Sequence, residues 1–375
     1  MPRKHAAPVE ISTFMKRHWQ RKPLLVRAAF PRFEDPLSPR EILGFAGSPD
    51  VQSRLVRRRG ARWSLEHGPF AAAKFRNLPK RDWTVLVQDT NHLSPAADRL
   101  LRRFDFIPHA RIDDVMVSYA VPGGSVGPHV DSYDVFLLQG RGRRRWQVSR
   151  QRDHAFVPGL PLKILARFEP EEEWVLEAGD MLYLPPGVAH YGVAETECLT
   201  WSIGFRAPTD VELARSLLDA HHDDLDLAGQ YGDPGAHATR HPGEIPARML
   251  ARAADVAARI RWTPSRLREY AGRFLTEPKA HVFFEPPARP LACDAFSRRA
   301  AREGLSLDPR ARLAFSGTIF FMNGETAAVP AAARPVARSL ADRRRLAPPV
   351  KAPAAFWEAA HAWYLQGFVH LGGEP

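Results

Sequence analysis

The chain has 375 residues, 45% of them hydrophobic and 25% charged, with a formal net charge of +11 and two cysteines. Such a length exceeds one ordinary core and predicts two or three globular domains. Cys198 and Cys293 stand far apart, which excludes a disulfide scaffold or a zinc finger, and no stretch approaches the roughly 20 apolar residues that span a bilayer.

The opening MPRKHAAPVEISTF is basic without an apolar run, so no secretory leader is expected and a cytoplasmic location is. Between about 80 and 206 the pattern predicts short strands separated by Gly and Pro clusters. They are Trp83–Gln88, Ile112–Ala120, Val135–Leu138, Trp146–Val148, Met181–Leu184 and Leu199–Phe205, which together suggest a β-sandwich or barrel. At Thr209-Asp210-Val211-Glu212 a capping box opens a helix, and helical spacing returns over Ala247–Ile260 and Pro264–Leu275. A proline-rich linker, Glu285–Pro290, leads to a short helix at Asp294–Glu303. Asn323-Gly324 predicts a type I′ hairpin between Thr318–Met322 and Thr326–Val329, and a last helix is expected over Ala354–Leu371. Helix, hairpin and helix suggest a small winged-helix-like module. Arginine runs at 57–59, 143–145 and 343–345 are spread along the chain and belong to no recognition motif, so direct nucleic-acid binding is not expected.

The chemistry concentrates in two places. Ser125-Val126-Gly127-Pro128-His129-Val130-Asp131 sets an imidazole and a carboxylate two residues apart, where a strand puts both on one face. Downstream, Gly179-Asp180 begins a strand that ends in Pro185-Pro186-Gly187, and His190 follows. A rolled sheet can return that histidine opposite the first pair. Two histidines and a carboxylate leave three coordination positions open, which suits Fe(II) that takes a chelating co-substrate and O₂. His67, His92 and His109 stand alone and are expected to be structural, while His221-His222-Asp223-Asp224 is expected to be the solvated end of a helix.

A co-substrate that chelates the ion through carboxylate chemistry needs a cation in the pocket, and an arginine offers a carboxylate two parallel donors. Among Arg143, Arg144 and Arg145 only one parity faces inward, and Arg144 shares parity with Trp146 and Val148. Ser118 offers a hydroxyl to the same carboxylate. Asp114, Met116 and Ser118 share a strand face, so Asp114 is expected near the pocket mouth, paired either with an incoming arginine or with Arg111.

The stretch from Arg111 to Tyr119, Pro122-Gly123-Gly124 through Asp131, Tyr133-Asp134-Val135-Phe136, Arg143–Trp146, Gly179–His190 and Gly204–Pro208 resembles the Jumonji-C/cupin ribosomal oxygenases, above all the bacterial ribosomal-protein arginine 3-hydroxylases. The resemblance covers the first 210 residues in detail and the rest by architecture. It implies an α+β protein: a double-stranded β-helix over 1–207 (core about 96–207), a helical dimerisation region over 208–288 and a winged-helix-like domain over 289–375. It also implies Fe(II) on His129, Asp131 and His190, with 2-oxoglutarate on Arg144 and Ser118 and O₂ as second co-substrate. Asp114, Met116, Tyr133 and Ser202 would meet an arginine of a large-subunit ribosomal protein, although Tyr133 also suits an ordinary barrel aromatic. Competing expectations are a histidyl hydroxylase of the same superfamily, a non-oxidative cupin, or a non-enzymatic winged-helix regulator. The last is disfavoured because Phe356–Leu371 carries no Lys or Arg.

Overall fold

A computed structural model describes residues 9–372; most of the leader stretch considered above lies outside the described residues. The chain divides into two compact units, the first running to Ala207 together with 308–310 and the second starting at Pro208.

The first unit is built from α1 (Ile11–Arg17), β1 (Leu24–Val26), α2 (Pro39–Phe45), β2 (Ser53–Arg59), β3 (Arg62–His67), α3 (Ala72–Arg76) and β4 (Trp83–Val87). After α4 (Thr90–Leu93) and α5 (Pro95–Leu101) come β5 (Ile112–Ala120), β6 (Asp134–Gln139), β7 (Arg144–Ser149) and β8 (Glu172–Leu176). The last strands are β9 (Met181–Leu184), β10 (Ala189–Ala194) and β11 (Cys198–Phe205). An eight-stranded antiparallel sheet runs β1-β9-β6-β11-β5-β4-β2-β3, and a second sheet runs β10-β7-β8. This is the double-stranded β-helix, and period-two alternation explains it strand by strand. Val115, Val117 and Tyr119 of β5, Phe136 and Leu138 of β6 and Trp201, Ile203 and Phe205 of β11 enter the core on one face of the large sheet. From the other face Val135 and Leu137 of β6 and Leu182 and Leu184 of β9 meet Trp146, Val148 and Leu176 of the small sheet.

The first core is aromatic. Phe104 and Phe136 lie 4.8 Å apart, and Phe14 of α1 meets Tyr183 edge-on at 4.9 Å. Each such pair adds about 0.5–1.5 kcal/mol beyond area burial. The N-terminal helix is thereby fixed to the back of the sheet, leaving the opposite face for the site.

Strands begin earlier than the expected residue 80. β2 reads Ser-Arg-Leu-Val-Arg-Arg-Arg, and its arginines obscure that Leu55 and Val56 are buried on opposite faces, one in the core and the other on the cavity wall.

In the second unit α6 (Asp210–Asp223) carries the expected capping box, with Thr209 Oγ1 accepting from the Glu212 amide. His221 departs from expectation. It is buried, with its ring stacked 4.3 Å from Trp262, while the neighbouring His222 is exposed. α7 (Ala247–Arg259) has no buried residue, and Met249 and Leu250 on it are exposed.

α8 (Pro264–Thr276) packs on a sheet formed by β13 (Leu313–Ser316), β14 (Ile319–Met322) and β15 (Glu325–Ala327), whose strands follow α9 (Cys293–Glu303) and β12 (Leu305–Leu307). A Cβ on Gly272 would lie 2.2 Å from the Phe321 ring, so only glycine permits this approach. A boundary at 288/289 therefore separates two elements that pack together. Asn323 and Gly324 both have positive φ, 52° and 87°, as a type I′ turn requires.

α10 (Arg334–Arg343), β16 (Arg345–Leu346), α11 (Ala354–Leu365) and β17 (Val369–Leu371) complete the unit, with β16-β12-β17 as a small sheet. The expected last helix stops at Leu365 rather than Leu371. Gly367, at φ 76°, ends it by donating to the Tyr364 carbonyl, and the chain continues as a strand. No helix among the described residues is long and apolar enough to cross a membrane.

Candidate metal centre and co-substrate cavity

His129 and Asp131 lie in an extended segment between β5 and β6, not within a strand as expected. A reciprocal pair of main-chain hydrogen bonds holds it, His129 N to His190 O at 3.0 Å and His190 N to His129 O at 2.9 Å. Gly127 makes the entry turn at φ 85°, where an added Cβ would press on Ile164 at 2.9 Å. The amide of Gly187, in the Pro-Pro-Gly turn, donates to the Asp131 carbonyl at 2.8 Å. The motif glycines thus fasten two distant segments side by side.

One ligand atom from each of His129, Asp131 and His190 falls within 4.8 Å of the others, the one such group of three metal-binding side chains among the described residues. Asp131 carboxylate oxygens lie 3.9 Å from His129 Nε2 and 3.6 Å from His190 Nε2. Each Nδ1 is 3.0 Å from a carbonyl, of Gly127 for His129 and of Val188 for His190. A carbonyl only accepts, so Nδ1 carries the proton and Nε2 keeps its lone pair toward the shared point. Burial pushes the pKa of His190 down to about 4, helped by the charge of His129 and opposed by Asp131. This donor set fits a divalent ion with open positions.

The three residues line a cavity of about 350 Å³ together with Met116, Ser118, Tyr133, Arg144 and Ser202. Arg144 is buried on β7, while Arg143 and Arg145 are exposed. Its Nε and Nη2, and Trp146 Nε1 beside them, have no hydrogen-bond partner among the described residues. Buried donors without acceptors are expensive, so this wall suits a ligand rich in oxygen. Ser118 pairs across the sheet with Thr200, and Met116 with Ser202, which arranges these four cavity residues in two adjacent rows.

Tyr133 has its hydroxyl pKa raised, first by burial and then by the charges of Asp131, Asp114 and Asp113, while Arg54 acts in the opposite sense. Asp114 itself is not among the residues lining the cavity. It is buried and accepts from the Asp89 amide at 3.1 Å, and Arg111 is bound instead to Asp134 at 2.9 Å. Strand parity carries no trace of the hydrogen bond that draws the Asp114 carboxylate toward the Asp89 amide. Arg54, Thr200 and Lys163 also line the cavity and were not anticipated. The only signal for Arg54 was an arginine flanking Leu55-Val56 in an otherwise basic run.

Comparison with known proteins matches residues 99–213 to the JmjC domain and residues 259–370 to a ROXA-like winged helix. The chain is 36% identical over 285 residues to the ribosomal protein uL16 3-hydroxylase of Escherichia coli, covering 75% of each chain. It is 41% identical over 219 residues to a probable ribosomal oxygenase of Haemophilus influenzae, covering 57% of this chain and 54% of the relative. A solved structure of the Escherichia coli ribosomal oxygenase YcfD in complex with cobalt and 2-oxoglutarate superposes with a TM-score of 0.84 at 31% identity, covering 98% of this chain and 99% of that one.

Proposed function

Because this chain belongs to the JmjC-domain ribosomal oxygenases, we propose that it is an Fe(II)- and 2-oxoglutarate-dependent hydroxylase acting on an arginine of ribosomal protein uL16. The observation that carries this reading is the group of two imidazoles and a carboxylate on the wall of a cavity that also offers Arg144 with unpartnered donors. An iron(II) centre with 2-oxoglutarate and O₂ supplies the oxidising power to hydroxylate an unactivated C–H bond.

The protein's part is placement. His129, Asp131 and His190 would hold the ion on one side and leave the other open. Arg144 and Ser118 grip the distal carboxylate of 2-oxoglutarate, and the apolar wall of Val135, Leu137 and Trp146 keeps water from it. Met116, Tyr133 and Ser202 receive the substrate side chain, with Asp114 and Asp113 giving that end a negative field. A planar guanidinium is favoured there over a point charge. Anaerobic titration with Fe(II) and 2-oxoglutarate, followed by its visible charge-transfer band, tests the co-substrate assignment directly.

Two predictions follow from the finer reading. Asp114→Asn keeps an acceptor for the Asp89 amide but removes the charge, and is expected to raise the KM for uL16 on the order of tenfold, about 1.4 kcal/mol. The product should carry one added oxygen on an arginine, read by tandem mass spectrometry. An oxygen on histidine would sink the arginine assignment and leave the oxygenase one standing. The second concerns assembly. Val211 and Leu218 of α6 and Met249 and Leu250 of α7 are exposed apolar residues, and a second copy would cover them. Sedimentation velocity at micromolar concentration is expected to show a dimer, and a monomer there would contradict it. The cytoplasm, where ribosomal substrates are made, is the location this reading implies.

A further inference from the structure

The roles above use Arg144 but leave a second cavity arginine unassigned. Arg54 lies on β2 opposite Leu86 of β4, which in turn lies opposite Ser118 of β5. It therefore occupies the same row as Ser118 and Thr200, near the outer edge of the large sheet. Its side chain leaves that row, because Nη2 reaches the Met116 sulfur at 3.8 Å. A thioether is a weak acceptor, and a guanidinium has five donors to satisfy. Nε is buried with no hydrogen-bond partner among the described residues, while the neighbouring Arg57 takes Glu66 at 2.6 Å. A half-buried cation in this condition calls for an oxygen acceptor from outside the chain.

We propose that Arg54 is a substrate-positioning residue, donating to a main-chain carbonyl of the substrate protein beside the side chain to be oxidised. The proposal rests on the oxygenase reading of this cavity. The substrate guanidinium carries the same charge as Arg54 and is repelled by it, so it is not the group that Arg54 holds. The distal carboxylate of 2-oxoglutarate already has Arg144. A neutral carbonyl satisfies Arg54 without placing a substrate acid near the metal ligands. Arg54 then fixes the backbone of the substrate while Met116, Tyr133 and Ser202 of the same cavity receive its side chain.

The test pairs Arg54→Met, which keeps the stem and removes every donor, with Arg54→Lys, which keeps a charged donor. Binding of fluorescently labelled recombinant uL16 to metal-free protein is measured by anisotropy, alongside anaerobic 2-oxoglutarate titration of the Fe(II)-loaded protein. Arg54→Met is expected to weaken uL16 binding and raise its KM roughly tenfold with little change in kcat, as loss of a charged hydrogen bond implies. Arg54→Lys should recover most of that loss, and 2-oxoglutarate affinity should move less than about twofold. Unchanged uL16 affinity in a cooperatively melting Arg54→Met overturns the proposal. So does an equal loss of 2-oxoglutarate affinity, which would make Arg54 a co-substrate ligand. If wild-type protein shows no uL16-dependent turnover, the underlying function falls and this role with it. Normal wild-type turnover with an unshifted Arg54→Met removes the Arg54 role alone.

Discussion

His129→Ala and Asp131→Ala are each expected to abolish the proposed hydroxylation of uL16 and 2-oxoglutarate consumption while the protein still folds. Both side chains are partly exposed, at 24% and 20%, and the bonds that fasten this segment to His190 use main-chain atoms that alanine retains. Removing one of three protein donors should weaken metal affinity beyond the roughly 10–100-fold that loss of a supporting hydrogen bond costs. His190→Ala is less informative, because that imidazole is fully enclosed and its loss also opens a cavity. Metal competition against a chelator, succinate release and thermal melting measure the three consequences separately. A variant that melts normally and still makes succinate at the wild-type rate would remove the metal assignment.

The second large effect is on the co-substrate. Arg144→Ala deletes a buried guanidinium whose Nε and Nη2 are free to bond a carboxylate. Hydrogen bonds to charged groups contribute about 1.5–3 kcal/mol each, so losing even one should weaken 2-oxoglutarate about ten- to a hundred-fold, and losing the pair more. Arg144→Lys keeps the charge and loses the parallel pair of donors, and should fall between. Metal affinity in the absence of 2-oxoglutarate should hardly change. Arg145 supplies the control: it is exposed and bound to Glu173 and Glu195, both at 2.6 Å. Exposed pairs of this kind contribute little, and Arg145→Ala should leave 2-oxoglutarate binding near wild type. If Arg145→Ala has the larger effect in the anaerobic titration, β7 presents the opposite face to the cavity.

Short apolar runs bounded by Gly and Pro clusters made β4, β6, β9 and β11 legible, and β5 by its alternation; in β5 and β11 the two faces also differ in chemistry. Polar Ser118 and Ser202 alternate with Val117 and Trp201, and that contrast is visible in one dimension. β2 was hidden by its own composition. Three consecutive arginines describe a solvated surface, although the strand buries Leu55 and brings Arg54 to the cavity. The contact of Asp114 with the Asp89 amide depends on Asp89 adopting a left-handed backbone, φ 53°, before α4, which no local pattern announces. His221 is buried by Trp262 and Tyr270, both far along the chain. The early end of α11 was available in principle. Gln366-Gly367 is an ordinary C-terminal stop, outweighed by the apolar residues that follow and that turn out to be the strand β17.

The reciprocal bonding of His129 to His190 makes ion binding and chain unfolding parts of one equilibrium. The donors belong to segments that are neighbours only in the native state, so an ion gripping all three excludes every conformation in which those segments separate. By mass action, free metal at about 100 times its dissociation constant adds about 2.7 kcal/mol to the native state, provided the unfolded chain does not bind it. Chelation removes that increment first from the stretch around Gly127 and the Pro185-Pro186-Gly187 turn, which exchanges its amide hydrogens faster while the aromatic core behind the large sheet stays protected. Limited proteolysis of chelator-treated protein is therefore expected to cut at the catalytic face before the aromatic core opens.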